Sequence, residues 1–417
     1  MPRIIQKYGG SSVANIELIR AVARRAVAAK REGADVVVVL SAMRGETDRL
    51  IGLANEACPD PDPRELDSLL STGEQTSVAL FALACQALGE KVKSFLGHQA
   101  GIKTDDVHGK ARILEINPAR LKTELAKGRV CVVAGFQGQD RHGDVTTLGR
   151  GGSDTTAVAL AVALEADVCE IYTDVEGIYT TDPHVCDSAQ KMDKICYEEM
   201  LEMSSLGAKV MEIRSVELAM NYGVRIHVRH AHSQSTGTII CEEDADMERT
   251  PVRGVTHSVN EARITLLKVP DHPGVAATIL SIVAKAGIIV DMIIQNHSEP
   301  PGTDAGGEGL WTDFSFTVPA ADYENALDLM RAAGREIGAA EVLGDNNIAK
   351  VSIVGVGMRN HAGVATVMFQ ALAKEGINLS MISTSEIKIS CVIEKKYAEL
   401  AVRALHGAFK LGGPIHG

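Results

Sequence analysis

Positive charge is in short supply in this sequence, and the shortage narrows the classes of partner. The 417 residues include 42 lysines and arginines against 54 aspartates and glutamates, a formal net charge of −12. Binding to the phosphate backbone of nucleic acid or to an anionic membrane needs a basic surface. We therefore expect neither nucleic acid nor a membrane as the main partner, while local basic pockets remain compatible with this charge.

The sequence also lacks an apolar run long enough to cross a bilayer. The most aliphatic stretch near its start, residues 36–40 (VVVVL), falls far short of the roughly 20 residues that a transmembrane helix needs. The opening residues, MPRIIQKYGG, do not show the charged and then apolar order of a signal peptide. We therefore expect a cytoplasmic location.

Paired cysteine motifs are missing as well. The eight cysteines are scattered without any C-x-x-C spacing, a pattern typical of reduced thiols in a large cytosolic enzyme. His227, His230 and His232 could suggest a metal, but they lie in or just after the alternating, strand-like run NYGVRIHVRH, without matched cysteine or acidic partners. This favours a structural or surface role over a zinc site, and we assign no side chain to a metal.

Length and patterning indicate more than one domain. At 417 residues and 44.3 kDa the chain exceeds one ordinary core, so two or three domains are expected. The first half alternates helical patterns with continuous apolar strands such as VVVVL and VCVVAGF. This predicts an α/β fold with a mostly parallel sheet sandwiched by helices. Because such sheets bind ligands at the carboxyl ends of their strands, the loops after strands are the candidate site.

An internal repeat follows a charged segment, CEEDADMERTPVR, that we interpret as a linker. KVPDHPGVAATILSIVAKAGIIVDMI resembles GVGMRNHAGVATVMFQALAKEGINLSMI at a constant offset of 89 residues. The matched pairs are His272 and His361, Gly274 and Gly363, Gly287 and Gly376, and Met292 and Met381. Each copy reads strand, H-x-G-V turn, helix, Gly-Ile, strand, which predicts two duplicated domains. Residues 298–309 are a predicted flexible loop in the first copy.

Five loops carry the residues that suggest chemistry. KYGGSS places Lys7 beside two glycines, where the backbone can approach an anion at a helix start. It matches neither the P-loop nor the dinucleotide and protein-kinase glycine motifs, so an ordinary turn competes with a phosphate site. The second loop, SAMRGETD, suits phosphate or substrate contacts; a helix cap by Thr47 or Asp48 is the alternative.

The other three loops differ in what they indicate. In STGEQTS, Ser71 and Glu74 have the spacing of a capping box, and spacing alone favours that cap. In TTLGRGGSDTTAVAL, Arg150 stands between glycines, a setting suited to a carboxylate or phosphate. A helix cap by Ser153 or Asp154 would explain those two residues but not Arg150. In YTDVEGIYTTDPH, Asp174 and Asp182 fit a nucleotide contact and a plain turn equally well.

These loops hold cations and carboxylates but no Ser-His-Asp, Cys-His or metal-ligand set. An alcohol acceptor for a phosphoryl group would need a general base. A carboxylate acceptor, with a pKa near ~4, is already ionised at neutral pH and needs none. The barrier is then mainly positioning and charge neutralisation between two anions, work that suits lysine, glycine N–H groups and Mg²⁺.

Together the motifs resemble those of the aspartokinases of the amino acid kinase family. The matching stretches are KYGGSSV, VVVVLSAM, STGEQ, VAGFQG, TTLGRGGSDTTA and IYTDVEGIYTTDP. The repeats resemble a pair of ACT regulatory domains, with ISTSEIKIS typical of the second. The resemblance covers nearly the whole chain. It implies a kinase domain over residues 1–240, a linker and first regulatory strand over 241–262, and two α+β, ferredoxin-like ACT domains over 263–345 and 346–417.

The resemblance implies that the γ-phosphoryl group of ATP, with Mg²⁺, is transferred to the β-carboxylate of L-aspartate. The product, 4-phospho-L-aspartate, opens lysine, threonine and methionine biosynthesis. The implied catalytic residues are Lys7, which would neutralise the transferred group, and Asp154, which would organise Lys7 and the substrate amine. Arg150 would hold the α-carboxylate of aspartate and Glu74 its ammonium, in addition to or instead of a cap. The implied ATP-binding residues are Lys7, Tyr8, Gly9, Gly10, Ser41, Thr173, Asp174, Tyr179, Asp182 and Lys209. The implied aspartate-binding residues are Thr47, Glu74, Arg150, Gly151, Gly152, Ser153 and Asp154.

The ACT pair implies an allosteric effector, lysine or threonine or both, bound at the shared ACT interface. The matching positions are Asp271, Asp291, Met292, Ile293, Gln295, Asn296, Asn378, Leu379 and Ile382. The second copy reads HAGVA where the related pattern is often HPGVT, so Ala362 and Ala365 leave the strength of inhibition open. The pairing also implies a homodimer through the ACT domains, or an α2β2 assembly with a regulatory subunit initiated internally near Met247.

Two alternatives stay open at this level. Glutamate 5-kinase, acetylglutamate kinase and uridylate kinase share the implied fold, although none is expected to carry these two ACT copies. A catalytically silent amino-acid sensor would use the ACT pair alone. The presence of Lys7, Arg150 and Asp154 in matching motifs argues against the sensor.

Overall fold

The computed structural model describes residues 1–205, 210–296 and 310–413. Within this part of the chain, one compact unit holds residues 1–179 and 191–249, and another holds residues 180–190 and 250–413. Lys209 and the predicted loop at 298–309 lie outside the described residues. Across the described ranges, none of the helices combines the length and apolar character needed to cross a membrane.

The first unit is built on an eight-stranded sheet. Its helices are α1 (Ile16–Arg31), α2 (Glu46–Ala57), α3 (Pro63–Leu70), α4 (Thr72–Ala87), α5 (Ala119–Ala126), α6 (Gly152–Leu164), α7 (Tyr197–Ser205) and α8 (Ile213–Tyr222). Its strands are β1 (Arg3–Tyr8), β2 (Asp35–Leu40), β3 (Val92–Phe95), β4 (Ile102–Thr104), β5 (Ile113–Ile116), β6 (Val130–Ala134), β7 (Gln137–Gln139), β8 (Val145–Thr147), β9 (Val168–Thr173), β10 (Lys194–Cys196), β11 (Ile226–His230) and β12 (Thr238–Cys241). The large sheet has the order β10-β12-β11-β9-β1-β2-β6-β3.

The predicted α/β class is confirmed, since the pairings along this sheet are parallel apart from β11 with β12. Strand β6 is buried along its whole length, as is β2 beyond its first residue. Helices cover both faces of such strands, which explains why their residues are continuously apolar. A second sheet of four short strands, β5-β4-β7-β8, has no counterpart in the sequence prediction, because strands of three or four residues carry little periodicity.

Strand register brings the candidate loops to one edge of the large sheet. Tyr8, the last residue of β1, lies opposite Leu40 on β2 and opposite Tyr172 on β9. The loops that start after these residues therefore leave the sheet side by side at its carboxyl edge. This is the edge where parallel sheets bind ligands.

The second unit is a single antiparallel sheet covered by helices. Its strands are β13 (Gly254–Pro270), β14 (Ile293–Gln295), β15 (Trp311–Pro319), β16 (Glu341–Val354), β17 (Met381–Thr384) and β18 (Lys388–Glu394), in the order β14-β15-β13-β16-β18-β17. Its helices are α9 (Val275–Lys285), α10 (Tyr323–Ile337), α11 (Val364–Lys374) and α12 (Ala398–Ala408). Helices α9 and α11 begin 89 residues apart, so the predicted repeat is a structural repeat. Each copy has its own hydrophobic core.

Residues 180–190 belong to the second unit, although they lie within the sequence of the first. Thr180 and His406 of α12 are both buried, and the hydroxyl Oγ1 lies 2.9 Å from the ring nitrogen Nε2. The other ring nitrogen, Nδ1, lies 3.3 Å from the hydroxyl of Ser188. Burial lowers the pKa of His406, which favours a neutral ring with one donor and one acceptor nitrogen. The ring therefore holds both arms of this segment.

Candidate active site

A cavity of about 360 Å³ opens among the loops at the carboxyl edge of the large sheet. Eleven predicted site residues line it: Lys7, Gly9, Gly10, Ser41, Thr47, Glu74, Arg150, Gly151, Gly152, Ser153 and Asp154. The lining also includes residues that were not individually predicted to bind a ligand: Ala42, Met43, Arg44, Gly45, Asp48, Phe136 and Gly149. Five segments that are far apart in sequence thus meet in one place.

Lys7 and Asp154 form an ion pair at the centre of this lining. The ammonium nitrogen Nζ lies 2.6 Å from the carboxylate oxygen Oδ1, and both side chains are largely buried. The approach is close but is not aligned as a hydrogen bond. Because Lys7 is the next-to-last residue of β1 and Asp154 lies in the first turn of α6, the pair fixes a positive charge beside the amino end of that helix.

The loop before α6 is shaped to receive an anion. Gly149 and Gly151 have φ angles of +73° and +68°, a region that glycine adopts without strain. Gly151 precedes α6 at its N-cap position and no side chain caps the helix, so neither Ser153 nor Asp154 acts as its cap. Within this turn, the N–H groups of Gly152 and Asp154 already donate to the carbonyl oxygens of Gly149 and Gly151 at 3.0 Å, so this helix end attracts an anion mainly through the positive end of its dipole.

Arg150 adds a free positive charge to this loop. It is exposed and forms no ion pair with any described residue. Its backbone is held by Arg214 of α8, whose Nη2 donates to the carbonyl oxygens of Leu148 at 2.6 Å and Arg150 at 3.3 Å. Arg214 was not predictable from sequence, because nothing in the local pattern of α8 points to a loop 64 residues earlier. The structure thus fixes the backbone and leaves the guanidinium available for a ligand.

Glu74 places a buried carboxylate in the wall of the cavity. The residue is only 3% exposed, and Oε1 accepts the backbone N–H of Ala42 at 3.0 Å. Its other oxygen, Oε2, is buried and has no hydrogen-bond partner among the described residues. Burial raises the pKa of Glu74 to about 7. An unpaired buried carboxylate oxygen is costly and fits a cationic ligand group.

The capping-box interpretation of Ser71 and Glu74 is wrong. Ser71 itself has helical backbone angles and its side chain caps nothing in α4; the hydroxyl donates to the carbonyl of Ser68 at 2.8 Å. Helices α3 and α4 follow one another almost without a break, so the start of α4 needs little capping. Glu74 is thereby free to turn towards the loop that follows β2.

The burial of Glu74 predicts a pH-dependent cost in stability. Its pKa of about 7 lies above the usual value of 4.5, so the folded state holds this proton more tightly than the unfolded chain. The stabilisation that protonated Glu74 gives the folded state is fully present below pH 4.5 and is lost as the pH rises through 7. Relative to Glu74→Gln, the wild type should lose on the order of 3 kcal/mol of unfolding free energy between these values. Urea denaturation of the wild type and Glu74→Gln at pH 5 and pH 8 measures this loss. If the difference in unfolding free energy between the two proteins is the same at both pH values, the raised pKa of Glu74 is wrong.

The predicted nucleotide residues are less closely gathered. The ring of Tyr8 is fully buried and stacks on Tyr172 at 4.5 Å, so only its backbone can reach a ligand. Thr173 ends β9 and Asp174 follows it, beside the end of β1. The Thr173 hydroxyl donates to the Asp174 carboxylate at 3.1 Å. Neither residue lines the cavity.

Tyr179 and Asp182 complete the predicted nucleotide set. Tyr179 is partly buried, and its backbone forms an isolated antiparallel β-bridge with Lys191 within the first unit. Burial raises the pKa of its hydroxyl. Asp182 lies in the second unit, where its carboxylate accepts the backbone N–H of His184 at 2.8 Å. Neither residue lines the cavity, so their nucleotide roles remain predictions.

The second unit contains two cavities at matching places of the repeat. One of about 400 Å³ lies at the start of α9 and is lined in part by Asp271 and Gln295. The other, of about 490 Å³, lies at the start of α11. Of the remaining predicted effector residues, Asp291 pairs with the buried Lys350 and Met292 is buried. Ile293 and Ile382 are exposed on β14 and β17, and Asn296, Asn378 and Leu379 lie near these strands.

The described residues contain no group of three or more metal-type side chains. His227 lies on β11, and its Nε2 is 2.6 Å from the carbonyl oxygen of Thr236, which makes this nitrogen a donor. Burial lowers the pKa of His227 and of His232. In this part of the chain the histidines contact backbone and one another.

Known proteins resemble the chain along its whole length. Residues 2–230 match the amino acid kinase family, and residues 263–334 and 351–409 each match the ACT domain. The chain is 54% identical to an aspartokinase of Pseudomonas aeruginosa over 99% of both chains. It is 49% identical to an aspartokinase of Mycolicibacterium smegmatis over 99% of this chain and 97% of that one. A crystal structure of E. coli aspartokinase III with aspartate and ADP is 25% identical, covers 97% of this chain and 99% of that chain, and gives a TM-score of 0.78.

Proposed function

The chain belongs to the aspartokinases of the amino acid kinase family and is an ATP-dependent aspartate kinase, and from this premise we propose how its residues divide the reaction. Arg150 binds the α-carboxylate of aspartate and Glu74 binds the ammonium. Lys7, positioned by Asp154, neutralises the phosphoryl group as it passes to the β-carboxylate. The observation that carries this proposal is the buried, unpaired Oε2 of Glu74 in the same cavity as the unpaired guanidinium of Arg150.

The two ends of an amino acid match these two groups. An ammonium bound to Glu74 would compensate the buried carboxylate and lower its pKa. An α-carboxylate can accept two parallel N–H bonds from the Arg150 guanidinium. With both ends fixed, the side-chain carboxylate of the substrate is held at a defined distance. That orientation supplies much of the rate enhancement when both reactants are anions.

Phosphoryl transfer to a carboxylate needs charge neutralisation more than a base. The nucleophile is already ionised, so the chain's task is to bring two anions together. Lys7, the backbone of Gly9 and Gly10, and the positive end of the α6 dipole would face the transferring phosphate. Mg²⁺ would lower the charge of the triphosphate. Because Mg²⁺ usually binds one or two carboxylates together with substrate phosphates, a site without a metal-ligand cluster fits a cation that arrives with ATP.

ATP turnover with aspartate tests this function. Hydroxylamine should trap the acyl phosphate as a hydroxamate when aspartate is the acceptor, and glutamate or N-acetylglutamate should give little. The same assay separates the other carboxylate kinases of this fold. A catalytically silent sensor would give no product with any acceptor, and the intact pair of Lys7 and Asp154 argues against that alternative.

We further propose that the pathway product lysine, threonine, or both together inhibit the enzyme through the second unit. Two matching cavities in duplicated domains support a pair of amino-acid sites. His406 holds residues 180–190, and this segment follows directly after Tyr179 in sequence. A shift of the segment on effector binding would therefore displace a predicted nucleotide-binding residue. Ala362 and Ala365, at the start of α11, would set how tightly the second cavity binds.

Lysine and threonine at millimolar concentration, singly and together, should lower turnover several-fold. They should also raise the melting temperature, because a ligand that binds only the folded state stabilises it by roughly 2.7 kcal/mol at a hundred times its Kd. Leucine serves as the control. The feedback proposal fails if no combination alters turnover or melting.

We also propose that the enzyme assembles through the edges of the second unit, in the cytoplasm, where its eight free cysteines would stay reduced. Strands β14 and β17 end the sheet on its two sides, and Ile293 and Ile382 expose 48% and 42% of their surface there. Exposed apolar edge strands are ready to pair with another chain. Light scattering should give a homodimer, while a second, shorter polypeptide starting near Met247 would indicate the α2β2 assembly.

A further inference from the structure

A buried carboxylate outside the cavity joins the two halves of the proposed aspartate site. Asp67 lies on α3, is only 1% exposed, and precedes Glu74 by seven residues. It does not line the cavity. A carboxylate buried to this degree destabilises the fold unless donors replace its lost hydration. The arrangement of its donors therefore shows what it holds in place.

Five contacts saturate the carboxylate of Asp67. Oδ1 accepts the hydroxyl of Thr147 at 2.5 Å and the backbone N–H of Gly109 at 3.1 Å. Oδ2 accepts the backbone N–H of Thr147 at 3.0 Å, that of Gly109 at 3.0 Å, and His108 Nδ1 at 2.9 Å. All the donors come from two segments that are 41 or more residues away in sequence. Asp67 thus ties α3 to both of them.

These donors form the base of the Arg150 loop. Thr147 is the last residue of β8, and Arg150 follows three residues later. The carbonyl oxygen of Gly109 lies 3.0 Å from the position that a Cβ on Gly149 would occupy, so Gly109 packs directly against the loop. Through these contacts Asp67 fixes both the strand that enters the loop and the backbone beneath it.

The other side of Asp67 leads to Glu74. Helix α3 runs through Ser71 into α4, where Glu74 lies in the first turn. The side chain of Gln137 on β7 donates to the carbonyl of Ser71 at 3.0 Å, which adds a second tie across the same junction. A short rigid path therefore connects the Glu74 carboxylate with the Arg150 loop, and Asp67 lies at its centre.

We propose that Asp67 is a positioning residue that holds Arg150 and Glu74 in fixed places, so that the bound amino acid presents its side-chain carboxylate at a fixed distance from Lys7, and that this placement selects L-aspartate over L-glutamate. The inference rests on the proposed aspartate site. An amino acid held by its ammonium and α-carboxylate presents its side-chain carboxylate at a distance fixed by side-chain length. Glutamate is one methylene longer, and a misplacement of about 1 Å can cost ~100-fold in rate. Discrimination of this kind requires a rigid frame.

Replacing Asp67 with asparagine tests the frame, because the new amide group would face donors instead of accepting from them. The KM for aspartate should rise about tenfold or more, and the KM for ATP should stay within about twofold. The ratio of kcat/KM for aspartate to that for glutamate should fall several-fold, within the ~10–200-fold range that one methylene supports. Purely structural damage would not move this ratio selectively.

Asp140 offers a matched control. It is 8% exposed and accepts the backbone N–H groups of His142 at 2.9 Å and Asp144 at 2.8 Å. These contacts lie at the turn between β7 and β8, at the opposite end of β8 from Arg150. Asp140→Asn should lower the melting temperature without changing either KM or the substrate ratio. The proposal is overturned if folded Asp67→Asn keeps wild-type values, or if the two variants behave alike.

Thr147→Val keeps the test decisive should Asp67→Asn fail to fold. It removes one donor to Asp67 and should raise the KM for aspartate selectively, though less; an unchanged KM overturns the proposal. Arg150→Ala distinguishes failure of the Asp67 proposal from failure of the proposed aspartate site. If the KM for aspartate rises in Arg150→Ala but not in Asp67→Asn, the aspartate site is supported and the positioning role of Asp67 is wrong. If the KM for aspartate is unchanged in both variants, the aspartate site itself is wrong.

Discussion

Replacing Lys7 with alanine is expected to lower kcat by about 10²–10³-fold, the range seen when one preorganised charge-stabilising donor is removed. The ammonium of Lys7 is fixed 2.6 Å from the carboxylate of Asp154 and lines the cavity. In the variant the negative charge of Asp154 would face the transferring phosphoryl group without a counter-ion. The loss should therefore appear in kcat, with the KM for aspartate little changed.

Lys30 supplies the matched control for this prediction. It pairs with Asp35 at 3.6 Å and is as buried as Lys7, but Asp35 begins β2, at the opposite edge of the sheet from the cavity. Lys30→Ala should keep its turnover. Steady-state kinetics, with nucleotide binding measured calorimetrically, separates catalysis from binding. Activity of a folded, ATP-binding Lys7→Ala variant within a few-fold of wild type would remove Lys7 from the mechanism.

Replacing Glu74 with glutamine is expected to lower kcat/KM for aspartate by about 10²-fold or more at pH 8. Removing one partner of a buried charge pair usually costs roughly 2–5 kcal/mol, and the neutral amide cannot replace the carboxylate beside an ammonium. The KM for ATP should hardly change. The same substitution should raise stability at this pH, because burial holds the pKa of Glu74 at about 7. A variant that loses activity but gains stability would indicate that Glu74 serves ligand binding at the expense of the stability of the fold.

Glu65→Gln controls for the loss of one negative charge nearby, since Glu65 on α3 is exposed. In the free wild-type enzyme, kcat/KM for aspartate should rise with pH up to about 7 as Glu74 ionises, and the Glu74→Gln variant should lose this rise. An aspartate KM within a few-fold of wild type would show that the ammonium binds elsewhere.

Local motifs predicted several residues that the structure brings together in one cavity. Lys7, Arg150 and Asp154 lie in short stretches whose glycines and charges are visible in sequence, and the structure brings all three to one cavity. Spacing misled at Ser71 and Glu74, because a serine that is itself helical cannot cap the next helix. The contact that places Glu74 comes from Ala42, 32 residues earlier, and no local pattern encodes it.

The repeat was predictable from the sequence, because the constant offset between its two copies is visible there. The long-range side-chain contacts that hold the loops in place were not predictable. Asp67 meets Thr147 across 80 residues and Thr180 meets His406 across 226. Such pairs follow from how strands and helices cross in the folded chain, so only the structure could locate the frame of the site.

Substrate analogues test the central claim most directly: that Arg150 and Glu74 bind opposite ends of aspartate. β-Alanine lacks the α-carboxylate of aspartate, and succinate lacks its ammonium. The measurement is kcat/KM for aspartate and both analogues with wild type, Arg150→Ala and Glu74→Gln. We predict that Arg150→Ala lowers the ratio of kcat/KM for aspartate to that for β-alanine and leaves the ratio of aspartate to succinate unchanged. Glu74→Gln should lower the ratio of aspartate to succinate and leave the ratio of aspartate to β-alanine unchanged. Equal losses for all three substrates in both variants would contradict the account.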